Sequence, residues 1–443
     1  GGDSLNANTT GASNVAVGVG ALVANTTASN NTAVGKRALY ANTTGTSNSA
    51  LGANALDANT TGANLVAVGN NALGKNTTGA LSIAIGSGAL AENTTGAENV
   101  AIGYLALTNN TTGTHNVAVG ASDGSSGATL GTNSTGSQNT ALGMQALGSN
   151  STASDNTAVG YQSLKANTTG TLNTALGSES LKVNTTGDNN TAIGRLALHL
   201  NTTADANTAV GRSALEANTT GASNVAVGFG ALDANTTGPH NTAVGNAALG
   251  ANTTGDLNVA IGGNALLSNV LGDRTVAIGY NALQAQAPSS NVDTYNVAVG
   301  LNAGFSVTTG ANNTVIGGLA GDAITTGGSN VIVGYNAGVY GTALTTGGTN
   351  TLIGSYTSAT TADASSAVGL GHSVAAATGY VTIGHGNSDI RAAHGNVTWA
   401  TVSDERYKKD ITDATAGLSF INALRPRTWN YKTLGELPET FSA

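Results

Sequence analysis

Asparagine is the residue of this chain that offers the most chemistry by number and spacing. Fifteen Asn-Thr-Thr or Asn-Ser-Thr triplets recur from Asn8 to Asn252, and each has the form of an N-glycosylation acceptor. The same Asn-Thr-Thr-Gly text is turn chemistry, because Gly permits positive φ and Asn tolerates it. A turn that closes each repeat accounts for the periodicity without sugar. A ladder of threonine hydroxyls also raises ice binding, although the triplets fall in expected turns rather than on a flat strand face. Six histidines (His115, His199, His240, His372, His385 and His394) show no metal-ligand spacing. His372 and His385 lie close to one repeat apart and are placed to stack. Gly-x-Gly pairs such as Gly18 and Gly20 open no helix, which argues against a nucleotide site, and no recurrent carboxylate pair suggests glycosidase work. No metal or cofactor is expected. Near the C-terminus, Ser403 followed by Asp404 and Glu405 has the pattern of a helix N-cap.

These residues must be positioned by a repeat. A glycine returns every seventeen residues from Gly18 to Gly120, and again from Gly143 to Gly279, with text close to xxALxANTTGxxNTAVG between. A period this short cannot bury its own apolar face and must stack on its neighbours. One strand per unit is expected at segments such as Asn31-Thr32-Ala33-Val34-Gly35, with alternate apolar positions, and a second around Ala38-Leu39-Tyr40. The expected fold is therefore all-β, a parallel β-roll or β-solenoid of about 22 coils. At ~4.8 Å per coil it would be roughly 100 Å long. Small residues such as Ala33 and Gly35 imply a thin coil with little interior, so partner chains are expected to share the core.

The period breaks near 121–138, 284–295 and 339–349, and insertions in a solenoid emerge as loops that often carry recognition. Residues 1–13 read as a lead-in and 14–353 as the seventeen-residue array. Residues 354–399 read as fifteen-residue units (Gly354, Gly369, Gly384), and 400–443 as a separate segment.

Composition narrows the function classes. Only 9% of residues are charged and 4% aromatic, and a repeated charge would face its own copies in adjacent coils. Recurrent, in-register apolar runs argue against disorder. A thin net charge of −8 without a basic patch argues against nucleic acid as a partner, and no run of about 20 apolar residues spans a membrane. There are no cysteines.

The units Ser366-Ala367-Val368-Gly369-Leu370-Gly371-His372-Ser373-Val374-Ala375 and Tyr380-Val381-Thr382-Ile383-Gly384 resemble the head repeat of trimeric autotransporter adhesins, the YadA-like head. That resemblance implies a trimeric, left-handed parallel β-roll with two strands per repeat. Beyond Ala400, Ile411, Leu418, Ile421 and Leu424 fall on one helical face, Pro426 stops it, and Thr428-Trp429-Asn430-Tyr431 reads as a strand, giving a short α+β segment. The stretches Ser403-Asp404-Glu405-Arg406-Tyr407-Lys408-Lys409-Asp410-Ile411 and Leu424-Arg425-Pro426-Arg427-Thr428-Trp429-Asn430-Tyr431-Lys432 resemble the endosialidase-type intramolecular chaperone domain. The resemblance implies trimerisation, register-setting for an upstream β-stalk, and self-cleavage by a Ser–Lys dyad that maps onto Ser403 and Lys408. No substrate-directed enzyme activity is expected. The expectation is a homotrimeric extracellular or virion-surface fibre, such as a viral or phage tail fibre, that meets a host-surface or glycan receptor. A bacterial surface adhesin is the nearest alternative and an ice-binding rod the more distant one.

Overall fold

In the computed structural model, residues 1–122, 124, 127–395 and 400–401 are described. Each repeat contributes one three-residue strand to a single 24-stranded sheet. From Val15–Val17 to Tyr380–His385 every pairing in this sheet is parallel, which makes the described residues up to His385 a β-solenoid of about 22 turns. Among the described residues there is no helix. Pairing steps by seventeen residues, as in Val15↔Thr32 and Thr32↔Ser49. The insertions lengthen the step without shifting the register of alanines, so Ala118 pairs with Ala141 and Ala277 with Ala298. The parallel ladder ends in an antiparallel hairpin between Tyr380–His385 and Ser388–Ala393.

The coil at residues 31–47 shows why the sequence closes on itself. Ala33 at the strand centre points inward, as do Ala38 and Leu39 after the turn and the asparagines Asn31 and Asn42, and all five are fully buried. The interior thus closes within one chain, and a core shared between chains is not needed to fill it. The coil is less thin than its small strand residues imply, because asparagines occupy core positions and bond to one another. Asn42 Nδ2 donates to Asn25 Oδ1 at 3.1 Å and to the Gly45 carbonyl at 3.0 Å. In the second ladder, Asn31 Oδ1 accepts the backbone N–H of Asn48 at 2.9 Å. A buried amide costs stability unless paired, and from Asn25 to Asn252 each ladder amide donates to its copy one coil before; at the end of that run Asn252 Oδ1 is left without a partner.

The second strand expected around Ala38-Leu39-Tyr40 is absent as a strand. Leu39 has φ 51°, in the left-handed region, and this reverses the chain while its N–H still donates to the Ala55 carbonyl of the next coil at 3.0 Å. The segment is an arc that keeps inter-coil hydrogen bonds without the extended backbone of a strand. A second strand pair does form at Ser358–Ala359 and Ala375–Ala376, within the stretch that includes the Ser366–Ala375 unit. In that stretch the strand register steps by seventeen (Thr351↔Val368) and then thirteen (Val368↔Val381), rather than fifteen twice. Gly371, not Gly369, therefore sits over Gly354, and Gly384 over Gly371.

The interior changes composition along the rod. Up to Leu283 the inner positions are mostly Ala at the strand centre, Leu after the turn and Asn in the ladder. Farther on, Gly304, Gly321 and Gly338 replace the leucine, while Val307, Ile324 and Leu344 replace the ladder asparagine and Val315 and Ile332 the strand alanine. Volume lost at one wall is regained at two others. A Cβ added at Gly321 would lie 3.0 Å from Ile324 Cδ1 and 3.3 Å from Val315 Cγ1. Both interiors are packed, as cores require.

Candidate functional site

Three surfaces of the solenoid are candidates for function. The asparagine triplets are not among them. Asn25, Asn42, Asn59 and their copies through Asn252 are fully buried, so the acceptor nitrogen faces the interior and donates to the coil before it. The Thr or Ser after each of these asparagines is also committed, since Thr60 Oγ1 donates to the Thr77 carbonyl at 3.0 Å and Ser134 Oγ to the Ser151 carbonyl at 3.0 Å. The turn reading of Asn-Thr-Thr-Gly accounts for these residues, and the ladder gives the reason for Asn specifically.

The first surface is the outer face of the sheet. Strand residues one and three point away from the interior and, apart from Ser49, are Thr, Val, Ile or Leu in the three-residue strands, among them Leu51 at 53% exposure, Ile85 at 40% and Leu176 at 45%. They form two files along the rod, the third residues apolar and the first a mixture of Thr with Val and Ile.

The second surface is the insertion at 284–295. Its chain returns to pair Val292–Asp293 with Gly272–Asp273, and Gln286 takes the ladder position of an asparagine. Gln286 Nε2 donates to Thr275 Oγ1 at 2.9 Å and Gln286 Oε1 accepts from Asn296 Nδ2 at 2.9 Å. Arg274 pairs with Asp293. Gln286 and Asp293 of this insertion are thus engaged within the chain. The insertion near 121–138 includes residues outside those described, and its return passes through Thr129, whose hydroxyl donates to the Gly143 carbonyl at 2.8 Å.

The third surface is aromatic and follows from the insertion at 339–349. The Leu344 N–H donates to the Gly338 carbonyl at 2.9 Å, and the Gly338 N–H to Thr357 at 2.7 Å, so the loop that lifts Tyr340 is pinned at its base. Tyr340 meets Tyr356 at 5.0 Å between ring centroids and 72° between planes, and Tyr335 meets the same ring at 5.5 Å and 84°. Tyr356 in turn meets His372 at 5.6 Å, and His372 stacks on His385 at 4.9 Å and 14°, the separation of adjacent coils. Tyr340, Tyr356, His372 and Ser373 line a hollow of about 280 Å³. The stacking of the two histidines follows from their spacing in sequence. Beside them, burial pushes the Asp389 carboxyl above the ordinary aspartate range, with His385 pulling it the other way. Among the described residues no group of three or more His, Cys, Asp or Glu is arranged to hold a metal ion. The tyrosines were not singled out in the sequence. The available signal was clustering, because three of the chain's 11 tyrosines fall within residues 335–356.

Ser403 and Lys408, with the expected helix and strand beyond Ala400, lie outside the described residues. Among the described residues no helix is long and apolar enough to cross a membrane. No curated protein matches the chain. Residues 403–440 match the family described as the chaperone of endosialidase, so the β-solenoid is followed by a segment of that kind.

Proposed function

We propose that this chain is a homotrimeric extracellular fibre, of the kind carried at the tail of a phage or the surface of a virus, which attaches to a host surface. The observation that carries the reading is the order of parts, a long uniform β-solenoid directly upstream of residues similar to the chaperone of endosialidase. A rod of near-identical coils has many registers of similar energy, and a trimerising segment at its end would select one. The outward file of Val, Ile and Leu supports association, because contiguous exposed apolar surface of this length is characteristic of interfaces.

Within the C-terminal segment, Ser403 is the proposed nucleophile and Lys408 its base. The lysine amine, neutral when its pKa is depressed, takes the hydroxyl proton; Ser403 Oγ attacks a peptide carbonyl carbon, and the released amine takes a proton. Water then hydrolyses the resulting ester, which restores the hydroxyl and completes one cut per chain.

Intact mass of the full-length product, under native and denaturing conditions, tests both parts. The expected result is a trimer of shortened chains, with the cut lost in Ser403→Ala and Lys408→Ala. A trimer that retains the whole segment would make it a permanent cap. A monomer would overturn the fibre reading. It would also favour a second one, ice binding, for which the outward file of Thr157, Thr174, Thr191 and Thr208 beside Val159, Leu176, Ile193 and Val210 supplies a regular, flat surface. Thermal hysteresis is its direct readout.

A further inference from the structure

The aromatic corner at the C-terminal end of the rod has a shape that the repeat does not need. Ordinary coils pass from the strand glycine to the next turn without an insertion. Here three extra residues raise Tyr340 onto a pinned loop, and its ring stands across that of Tyr356 at 72°. Tyr340 is 53% exposed and Tyr335 50%. Large rings held rigidly in solvent forgo burial that folding would otherwise gain, so a surface cluster of them points to a ligand.

The chemistry of the lining narrows that ligand. Tyr340 and Tyr356 offer ring faces and two phenol hydroxyls, and Ser373 Oγ lies 3.1 Å from His372 Nδ1 at the wall. Among the described residues no Lys, Arg, Asp or Glu lines the hollow, so neither an anion nor a cation finds a complementary charge there. The net charge of −8 disfavours nucleic acid, whose bases would otherwise stack on such rings. A pyranose ring fits each feature, having an apolar face of C–H groups for a tyrosine and a rim of hydroxyls for phenol, serine and imidazole. A volume of about 280 Å³ is just under the range of roughly 300–1,000 Å³ typical of drug-sized ligands. It suits one sugar unit at the end or side of a longer chain.

We propose that Tyr340, Tyr356, His372 and Ser373 form a binding site for a neutral pyranose unit of a surface glycan. This names the receptor class for the adhesive reading above and rests on it. One modest site per chain suffices, because copies on a multimeric fibre act together.

The test is saturation-transfer NMR of the full chain with the methyl glycosides of glucose, galactose, mannose and N-acetylglucosamine, then binding to arrayed neutral oligosaccharides. At least one sugar is expected to receive magnetisation from aromatic protons. Tyr340→Ala and Tyr356→Ala should each weaken binding by about tenfold or more, the scale of one lost ring contact. Tyr280→Ala, at an equally exposed tyrosine elsewhere on the rod, should leave it unchanged. If Tyr356→Ala disturbs the coil by circular dichroism, Tyr340→Ala alone decides. Absence of transfer to every sugar, binding indifferent to Tyr340, or displacement of the sugar by choline would overturn the site. Native mass on the same samples separates the two readings. A trimer that binds no sugar sinks only this site, whereas a sugar-binding monomer keeps it and sinks the fibre.

Discussion

A single asparagine such as Asn59 does three jobs at once. Its Nδ2 donates to Asn42 Oδ1 and the Gly62 carbonyl at 2.9 and 3.0 Å, and its Oδ1 accepts from Asn76 Nδ2 at 2.8 Å. Asn59→Ala leaves a buried carbonyl and a neighbouring amide short of partners, and is expected to cost about 3 kcal/mol. Hydrogen exchange should show the loss concentrated in the coils on either side. Charge is tolerated less well at stacked positions. Burial raises the Asp233 carboxyl above its usual range, and Glu216, one coil earlier, adds to the shift. A raised carboxyl stabilises the fold below the unfolded-state pKa, and this contribution fades as pH climbs through the folded value. Asp233→Asn is therefore expected to raise the thermal midpoint at pH 7, on the order of 1 °C, with the gain vanishing in acid. Paired unfolding scans at pH 7 and below pH 4 would decide it.

At the scale of one coil, the glycine after the strand sets the limit on change. Gly177 has φ 141°, and a Cβ there would lie 2.5 Å from the Gly194 carbonyl oxygen. Gly177→Ala combines backbone strain with a clash that no rotamer relieves, and about 3 kcal/mol or more is expected from denaturant unfolding. This glycine was legible in sequence because its seventeen-residue period holds from Gly143 to Gly279, and with it came the stacking, the strand and the register of that stretch. The arc at Leu39 was not legible. Alternation of Ala and Leu predicts a strand, and nothing local announces that a leucine adopts a left-handed φ when the coil above holds its N–H. The ladder was hidden for the opposite reason, since Asn-Thr-Thr-Gly is so good a turn that its asparagine needed no further use. The aromatic corner was hidden because its members come from three coils and an insertion, and only the stacking of His372 on His385 followed from spacing alone.

For the whole solenoid, the outer files decide between solitude and assembly. Leu176→Lys with Ile193→Lys adds charge to adjacent strands on that face while leaving Ala175 and Ala192 buried within. If the files are the interface, the double variant should sediment as a monomer with its strand content intact, because like charges repeated across a dry contact oppose association. A second prediction concerns length. Removal of residues 161–177, one whole period, would bring Thr157–Val159 beside Thr191–Ile193 with equivalent partners, and the shorter rod should unfold at nearly the same midpoint.

The change of interior between Leu283 and Gly304 carries this further. Coils before it are interchangeable; those after it, with aliphatic side chains where asparagines stood, match only one another. A gene that gains or loses 51 base pairs in its first two thirds therefore alters the reach of the product and little else. The unequal exchange that repetitive DNA invites becomes a means of trying new lengths, while the terminal coils and their tyrosines are inherited intact.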